Sequence, residues 1–217
     1  VASQLNWKEK KFVIKQETNF PSEETVRLTI DSRKAQTLKI KIRCPWWVKP
    51  GEMKVICKGK DYAVGAQPSS YIEIERRWKK GDVIEVTLPM TITVEELPNL
   101  PNYIAIMRGP ILMGARMGDY RLDGLVANDG RWAHIAHGPL VSLFDTPFLI
   151  GERDEIVEKL QGMQPVSGKP MHFTVPGLFE KKYADLELEP FSQIHDSRYM
   201  MYWLSMSKAE YEAYQQR

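Results

Sequence analysis

Cysteine, charge of one sign and long apolar runs are all scarce in this sequence, and each scarcity excludes a class of protein. Two cysteines are too few for a disulfide-stabilised scaffold, and neither has zinc ligands nearby. The 30 basic and 28 acidic residues leave a formal charge of +2, which provides no overall basic field for nucleic acid or an anionic membrane. The apolar stretch 104–113 is broken by Arg108, Gly109 and Pro110, well short of a membrane helix. We therefore predict a soluble protein with neither nucleic-acid nor membrane partners.

Helical periodicity is also scarce in the first half of the chain, where apolar and polar residues alternate instead. Residues 72–75 alternate isoleucine with glutamate, and residues 83–88 are mostly apolar. Between them, 79–82 reads as a turn in which Gly81 is available for a positive φ, and Pro89 ends the second run. The pattern predicts a β-hairpin with one buried face.

The distribution of strand and turn patterns along the chain is typical of a mainly β protein with two domains. Short strands separated by turn signals are typical of a β-sandwich or jelly roll. Glycine, aspartate and arginine crowd residues 114–130, so we predict domains at 1–118 and 119–217, each sandwich-like or jelly-roll-like. Ser207 and Glu210 form the sequence pattern of a capping box, which predicts a short C-terminal helix. Further strands are predicted at 11–16, 25–30, 37–43, 53–58, 90–95, 103–107, 171–175, 184–188 and 199–206, and a further helix at 154–163.

Three groups of residues have the composition of a chemical site, and each has a simpler structural interpretation. His134 and His137 are spaced like metal ligands on a helix, but no third ligand lies near them in the sequence. The three carboxylates within 184–189 could act as a glycosidase pair, yet the solvated face of a strand produces the same pattern. Cys44 lacks an evident base that would lower its pKa, so we interpret it as a core thiol.

Tryptophans offer a possible sugar-binding surface. Indole rings stack on sugar rings, but tryptophans in turns commonly cover the end of a sandwich core, and we favour packing. The residues concerned are Trp46, Trp47, Trp78 and Trp132.

The segment 191–203 is the densest mixture of polar and aromatic residues. His195, Asp196 and Arg198 could hydrogen-bond to one another beneath the aromatics, or they could face a ligand. We favour a buried network that ties the last strand to its domain, because residues 199–203 are too apolar to be exposed. Carbohydrate binding by these three residues and Trp132 is the alternative.

Several motifs occur in an order that resembles a known family. The first half resembles the β-sandwich that follows the catalytic barrel in glycoside hydrolase family 127 and its relative family 146, a group also known as domain of unknown function 1680. The second half resembles the small domain of unknown function 4986 that follows it in many members. The motifs are QETNFP at 16–21, RCPWW at 43–47, Tyr71, Arg77-Trp78, Gly81-Asp82, LPM at 88–90, MRGP at 107–110, RWAHIAHGPL at 131–140, SGKPMHF at 167–173 and EPFSQIHDSRYMMYW at 189–203.

This resemblance implies β-L-arabinofuranosidase action on plant arabinosides by a retaining mechanism. In the family a zinc-held cysteine is the nucleophile and a glutamate is the acid/base, and both belong to a helical (α/α)6 barrel that this sequence lacks. No catalytic residue, metal site or cofactor is therefore carried over to this chain, and Cys44 stands where relatives commonly have an aliphatic residue. The resemblance also implies a periplasmic or secreted protein.

Three functions remain open from the sequence. The chain could be the accessory region that braces the enzyme's own catalytic barrel, an independent module that binds arabinose-containing carbohydrate, or a protein-interaction domain. Residues 1–7 resemble the last strand before the sandwich, so we expect the chain to be the C-terminal part of a larger enzyme and inactive alone. Exposed, coplanar tryptophans would favour the second function, and a large exposed apolar patch would favour the third.

Overall fold

The computed structural model describes residues 1–122 and 141–216, and the chain divides into two compact units. The first unit is Val1–Thr91 and the second is Ile92–Arg217. This division differs from the boundary predicted after residue 118, because the strands between residues 92 and 116 pair with strands of the second unit. The described part of the chain is mainly β, as predicted.

The first unit is a sandwich of two sheets with unequal numbers of strands. The larger sheet has the strand order β1-β2-β3-β8-β5-β6, and β4 pairs with β7 in a separate two-stranded sheet. All pairings are antiparallel. The strands are β1 (Ser3–Trp7), β2 (Phe12–Thr18), β3 (Thr25–Ile30), β4 (Gln36–Arg43), β5 (Lys54–Cys57), β6 (Lys60–Asp61), β7 (Tyr71–Trp78) and β8 (Val83–Thr87).

Alternation in the sequence places the core between these two sheets. In β7, Ile72 and Ile74 are buried while Glu73 and Glu75 are exposed, as predicted. The apolar residues of β2, β3, β5 and β8 contribute to the same core from the other sheet. Strands β5, β7 and β8 alternate buried and solvent-facing residues, which is the usual arrangement of an antiparallel sandwich, whereas all five residues of β1 are exposed.

The predicted hairpin at 71–90 is wrong in its pairing. β7 lies beside β4, and β8 lies between β3 and β5 in the other sheet. The segment 79–82 crosses between the sheets, and hydrogen bonds fix it to the end of β3: Gly81 N–H donates to the Ile30 carbonyl (2.8 Å), and Ile30 N–H donates to the Asp82 carbonyl (2.8 Å). β7 and β8 bury their apolar faces in the same core from opposite sides. The alternation of apolar and polar residues is therefore the same whether the two strands pair with each other or lie in facing sheets.

The described strands of the second unit form one branched sheet. Its order is β12-β17-β10-β11-β15-β14-β13, with β9 beside β10 and β16 beside β11. The strands are β9 (Ile92–Leu97), β10 (Leu100–Arg108), β11 (Ile111–Arg116), β12 (Leu149–Ile150), β13 (Gln164–Pro165), β14 (Phe173–Thr174), β15 (Glu187–Pro190), β16 (Tyr199–Met200) and β17 (Trp203–Met206). Short 3-10 turns lie at Leu143–Asp145, Lys181–Tyr183 and Phe191–Gln193.

Two helices complete the described part of this unit. Helix α1 (Arg153–Gln161) buries Ile156 and Leu160 in a core that also contains Trp203. Helix α2 (Lys208–Gln215) begins at the predicted capping box: Ser207 Oγ accepts from Glu210 N–H (3.3 Å), and Glu210 Oε2 accepts from Ser207 N–H (2.8 Å). Neither helix is long and apolar enough to cross a membrane, and the described residues contain no other α-helix.

Two predicted strands of this unit differ in the structure. The strand expected at 184–188 is β15 at Glu187–Pro190, preceded by a 3-10 turn. The strand expected at 199–206 is divided into β16 and β17, and only Trp203 within it is buried. Tyr199 and Tyr202 are exposed, so the expectation that residues 199–203 are buried is wrong.

Candidate functional site

An apolar groove lies between β1 and β4 in the first unit. It has a volume of about 450 Å³. The second sheet has only two strands, so it does not cover the inner faces of β1 and β2 completely. Leu5 and Trp7 consequently remain 57% and 44% exposed despite pointing into the groove. The lining residues are Ser3, Leu5, Trp7, Phe12, Ile14, Gln16, Leu28 and residues 38–43.

Strand β4 borders this groove with an unpaired edge. β4 is bonded to β7 along one side over its full length, and on the other side it has no strand partner among residues 1–122 and 141–216. Six consecutive residues of β4, 38–43, line the groove, which is expected where a strand presents its edge rather than a face. Every second residue there turns its N–H and C=O groups towards the groove.

The outer face of β4 is basic and is paired with acidic residues on β7. Lys39 Nζ and Lys41 Nζ lie 2.9 Å and 2.6 Å from the Glu73 carboxylate oxygens, and Lys39 also lies 3.9 Å from Glu75. Hydrogen bonds from Lys41 and Lys39 lower the pKa of Glu73 from 4.5 to about 2, and the hydrogen bond to Glu73 raises the pKa of Lys39. Lys39 and Lys41 of this basic face are therefore ion-paired on the β7 side.

The lining of the groove is apolar and basic. It contains lysine, arginine, serine and glutamine, but none of its residues is a carboxylate, a histidine or a cysteine. A glycosidase needs two carboxyl groups, or an equivalent nucleophile and acid, on either side of the bond that breaks. The lining of the groove therefore lacks the pair of carboxyl groups that a glycosidase uses.

The segment predicted to form a buried network is fixed in a different way. His195 and Asp196 are both exposed, so the prediction that they form a buried network with Arg198 is wrong. Arg198 is half-buried, and its Nε donates to the Tyr120 carbonyl (2.6 Å). Backbone hydrogen bonds hold the segment: Met117 N–H donates to the Arg198 carbonyl, and Arg198 N–H donates to the Gly118 carbonyl, both at 2.7 Å.

Arg116 and Glu189 form the ionic contact that sequence reasoning missed. Glu189 is buried, and Arg116 donates from Nε to its Oε1 at 2.8 Å. The guanidinium also donates to the backbone carbonyls of His195 and Gln193, each at 2.8 Å. His172 Nε2 lies 3.4 Å from the second carboxylate oxygen.

The three-carboxylate strand is correspondingly not a uniform solvated face. Asp185 is exposed and Glu187 is ion-paired with Lys169 at 2.8 Å, but Glu189 points inwards. No local sequence signal indicates this, because Arg116 is 73 residues away along the chain.

The remaining site predictions have different outcomes. Cys44 is buried, and burial raises the pKa of its thiol, which is consistent with a core thiol. The described residues contain no cluster of three potential metal ligands. His134, His137 and Trp132 lie outside the described residues. Carbohydrate binding by His195, Asp196, Arg198 and Trp132 stays a prediction.

The tryptophans divide into packed and exposed residues. Trp78 and Trp203 are fully buried, and Trp47 stacks on Phe20 with 5.9 Å between ring centroids. Trp46 is 58% exposed, so the packing interpretation is wrong for that residue. Together with Trp7, it gives the first unit two accessible indole rings.

Comparisons with known proteins agree with this architecture. The model of the GH127 β-L-arabinofuranosidase middle domain matches residues 1–90, and the model of domain of unknown function 4986 matches residues 93–205. None of the curated proteins matches the chain.

Solved structures with a similar fold include a GH127 β-L-arabinofuranosidase from Geobacillus stearothermophilus T6 (18% identity, TM-score 0.58). A second GH127 β-arabinofuranosidase (19%, 0.60) and a glycoside hydrolase (20%, 0.56) are also similar. Each alignment covers 94% of this chain but only 32–34% of the solved chain. The chain thus spans about a third of the length of these enzymes.

Proposed function

Because the chain belongs to the domain of unknown function 4986 family and carries a GH127 middle domain, we propose that it is the non-catalytic accessory region of a glycoside hydrolase. Its partner in this proposal is a helical catalytic barrel in the same enzyme, which acts on plant arabinosides. The accessory region braces that barrel and forms part of the wall beside the substrate cleft.

The groove between β1 and β4 is the observation that carries this proposal. A sandwich that functions alone gains stability by covering its apolar faces. Leu5 and Trp7 are nevertheless accessible beside the β4 edge, which has no strand partner in the described part of the chain. Exposed apolar surface next to a free edge is typical of an interface with another part of a protein. The absence of acid–base residues from the groove lining agrees with a structural role.

A second candidate function is an independent carbohydrate-binding module. The exposed ring of Trp46 favours it, because an accessible indole can stack on a sugar ring. In that case the chain binds arabinan without any barrel, and Trp46→Ala abolishes the binding.

The test of bracing uses the catalytic barrel of the parent enzyme, expressed separately. Adding this chain should raise the melting temperature of the barrel and its rate of hydrolysis of an aryl β-L-arabinofuranoside. Leu5→Asp, which places a charge in the groove, should remove both effects. Val64→Asp is the matched control, because Val64 is 85% exposed in the same unit and does not line the groove.

Two results would contradict bracing. One is a barrel whose stability and activity do not change when the chain is added. The other is an effect of the chain that Leu5→Asp and Val64→Asp reduce equally.

A further inference from the structure

The free edge of β4 has a chemistry that restricts what can pair with it. Its inward side chains, Leu38, Ile40 and Ile42, are apolar, and its outward side chains, Lys39, Lys41 and Arg43, are all basic. Residues directly opposite each other on neighbouring strands interact across the pair, and like charges there are destabilising. A partner strand must therefore be apolar on the groove side and should not be basic on the solvent side.

The existing neighbour of β4 shows which pattern fits. β7 alternates isoleucine with glutamate, so Ile40 lies opposite Ile74 and Lys41 lies opposite Glu73. Its isoleucines enter the core, while Glu73 forms ion pairs with two lysines of β4. A strand of the same pattern on the other edge would cover Leu5 and Trp7 with its apolar side chains and extend the charge pairing to Arg43. Arg43 is exposed and has no carboxylate within ion-pair distance in the described part of the chain.

A second copy of this chain does not meet these requirements. A symmetric pairing of two β4 edges would place Lys39, Lys41 and Arg43 opposite the same three cations. Basic side chains on an edge strand are a common protection against such self-association.

We propose that the β4 edge binds an extended peptide segment in which acidic residues alternate with apolar ones, and that this segment becomes a third strand of the smaller sheet. Backbone hydrogen bonds along β4 would provide affinity, and the groove together with the basic face would provide selectivity. The inference rests on the proposed accessory function, in which the catalytic part of the enzyme supplies the segment.

The experiment uses two synthetic peptides and this chain alone. The first peptide has the sequence YIEIE, identical to residues 71–75, and the second is YIKIK, both with blocked termini. Calorimetry should show binding of YIEIE and at least about tenfold weaker binding of YIKIK, because lysines would lie opposite the cations of β4. Hydrogen exchange should show new protection of β4 amides while the β7 amides stay protected.

Variants locate the binding. Leu5→Lys should weaken YIEIE binding by about tenfold or more, because a cation would enter the apolar floor of the groove, and Val64→Lys should leave the affinity unchanged. Leu5 is already 57% exposed, so its replacement should not unfold the unit.

Several results would overturn the proposal. These are equal affinity for the two peptides, no binding of either, loss of β7 protection through strand exchange, or self-association of the chain that protects β4 amides. Because no barrel is present, these results are independent of whether the chain stabilises a barrel.

Discussion

Glu189 illustrates how single residues in this chain depend on distant partners. Its carboxylate is almost completely withdrawn from solvent, and the forked guanidinium of Arg116 satisfies both of its oxygens. A guanidinium has five N–H donors, and that of Arg116 also donates to the backbone carbonyls of Gln193 and His195. One arginine thus joins β11, β15 and the loop that follows β15.

Removing Arg116 should destabilise the second unit. In Arg116→Ala, His172 is the remaining ionisable partner of the buried Glu189 among the residues that the structure describes. We expect a loss of about 1–3 kcal/mol in the free energy of unfolding. The lower part of that range allows for solvent around the guanidinium, because the arginine side chain is 44% exposed. Denaturant unfolding measures the loss, and Lys181→Ala at an exposed position should change the free energy by less than about 0.5 kcal/mol. Equal losses in the free energy of unfolding for Arg116→Ala and Lys181→Ala would show that the Arg116–Glu189 ion pair contributes little to stability.

Gly81 allows the turn that carries the chain between the two sheets of the first unit. Its φ of +84° lies in the left-handed region, as the sequence predicted for this turn. Asp82 completes the turn: its carboxylate accepts from Lys79 N–H (3.0 Å) and forms an ion pair with Lys58 (2.9 Å). Burial tends to raise the pKa of Asp82, but these partners outweigh it and hold the pKa below its ordinary value.

Gly81→Val should lower the free energy of unfolding of the first unit by about 1 kcal/mol or more, because a β-branched residue is strained at positive φ. A new Cβ would have nothing within 4 Å, so the cost comes from the backbone conformation and not from a clash. Gly81→Asn should cost less, because asparagine tolerates the left-handed region. Thermal melts of the three proteins provide the comparison, and an unchanged melting temperature for the valine variant contradicts the turn geometry.

At the scale of elements, the pairing of β4 with β7 combines apolar contacts on one face with ion pairs on the other. Glu73 lies between Lys39 and Lys41, so one carboxylate interacts with two cations of the neighbouring strand. Its lowered pKa means that the folded protein favours the charged carboxylate more than the unfolded chain does. The resulting stabilisation is fully present above pH 4.5 and is lost as the pH falls towards about 2.

Glu73→Gln should therefore change how stability depends on pH. The melting temperature of the variant should lie below that of the original protein above pH 4.5, and the difference should shrink as the pH falls to about 2. Glu9→Gln is the control, because Glu9 is exposed and has no ion pair in the described part of the chain. If the difference in melting temperature between Glu73→Gln and the original protein stays constant as the pH falls, the ion pairs of Glu73 are not its cause.

For the whole molecule, the two units agree closely with the two matched family models. The contact boundary lies between Thr91 and Ile92, and the models end and begin at residues 90 and 93. The sequence prediction placed this boundary later because glycine, aspartate and arginine are concentrated in residues 114–130. In the structure, β10 pairs with β17, and β11 pairs with β15 and β16, so both strands belong to the second unit although they begin before residue 114. Local composition marks loops, but a domain boundary depends on where strands find partners.

The isolated chain should not hydrolyse aryl β-L-arabinofuranosides, with or without added zinc. Cys44 is buried with a raised pKa, and Glu187 is engaged with Lys169, so neither is placed as a nucleophile or an acid. A chromogenic assay at high protein concentration measures any turnover. Turnover that disappears in Cys44→Ser or Glu187→Gln would contradict this prediction.

The sequence by itself determined which side chains of β7 enter the core of the first unit, where the capping box starts α2, and that the chain is mainly β. These features depend on the alternation of apolar and polar residues and on contacts between residues a few positions apart. Both can be read directly from the sequence. The tertiary structure decided that β7 pairs with β4 and not with β8, that Arg116 reaches Glu189, and that the β4 edge borders an open groove. The physical reason is that alternation specifies the buried face of a strand, while the identity of its neighbour depends on hydrogen bonds and side-chain contacts between segments far apart in the chain.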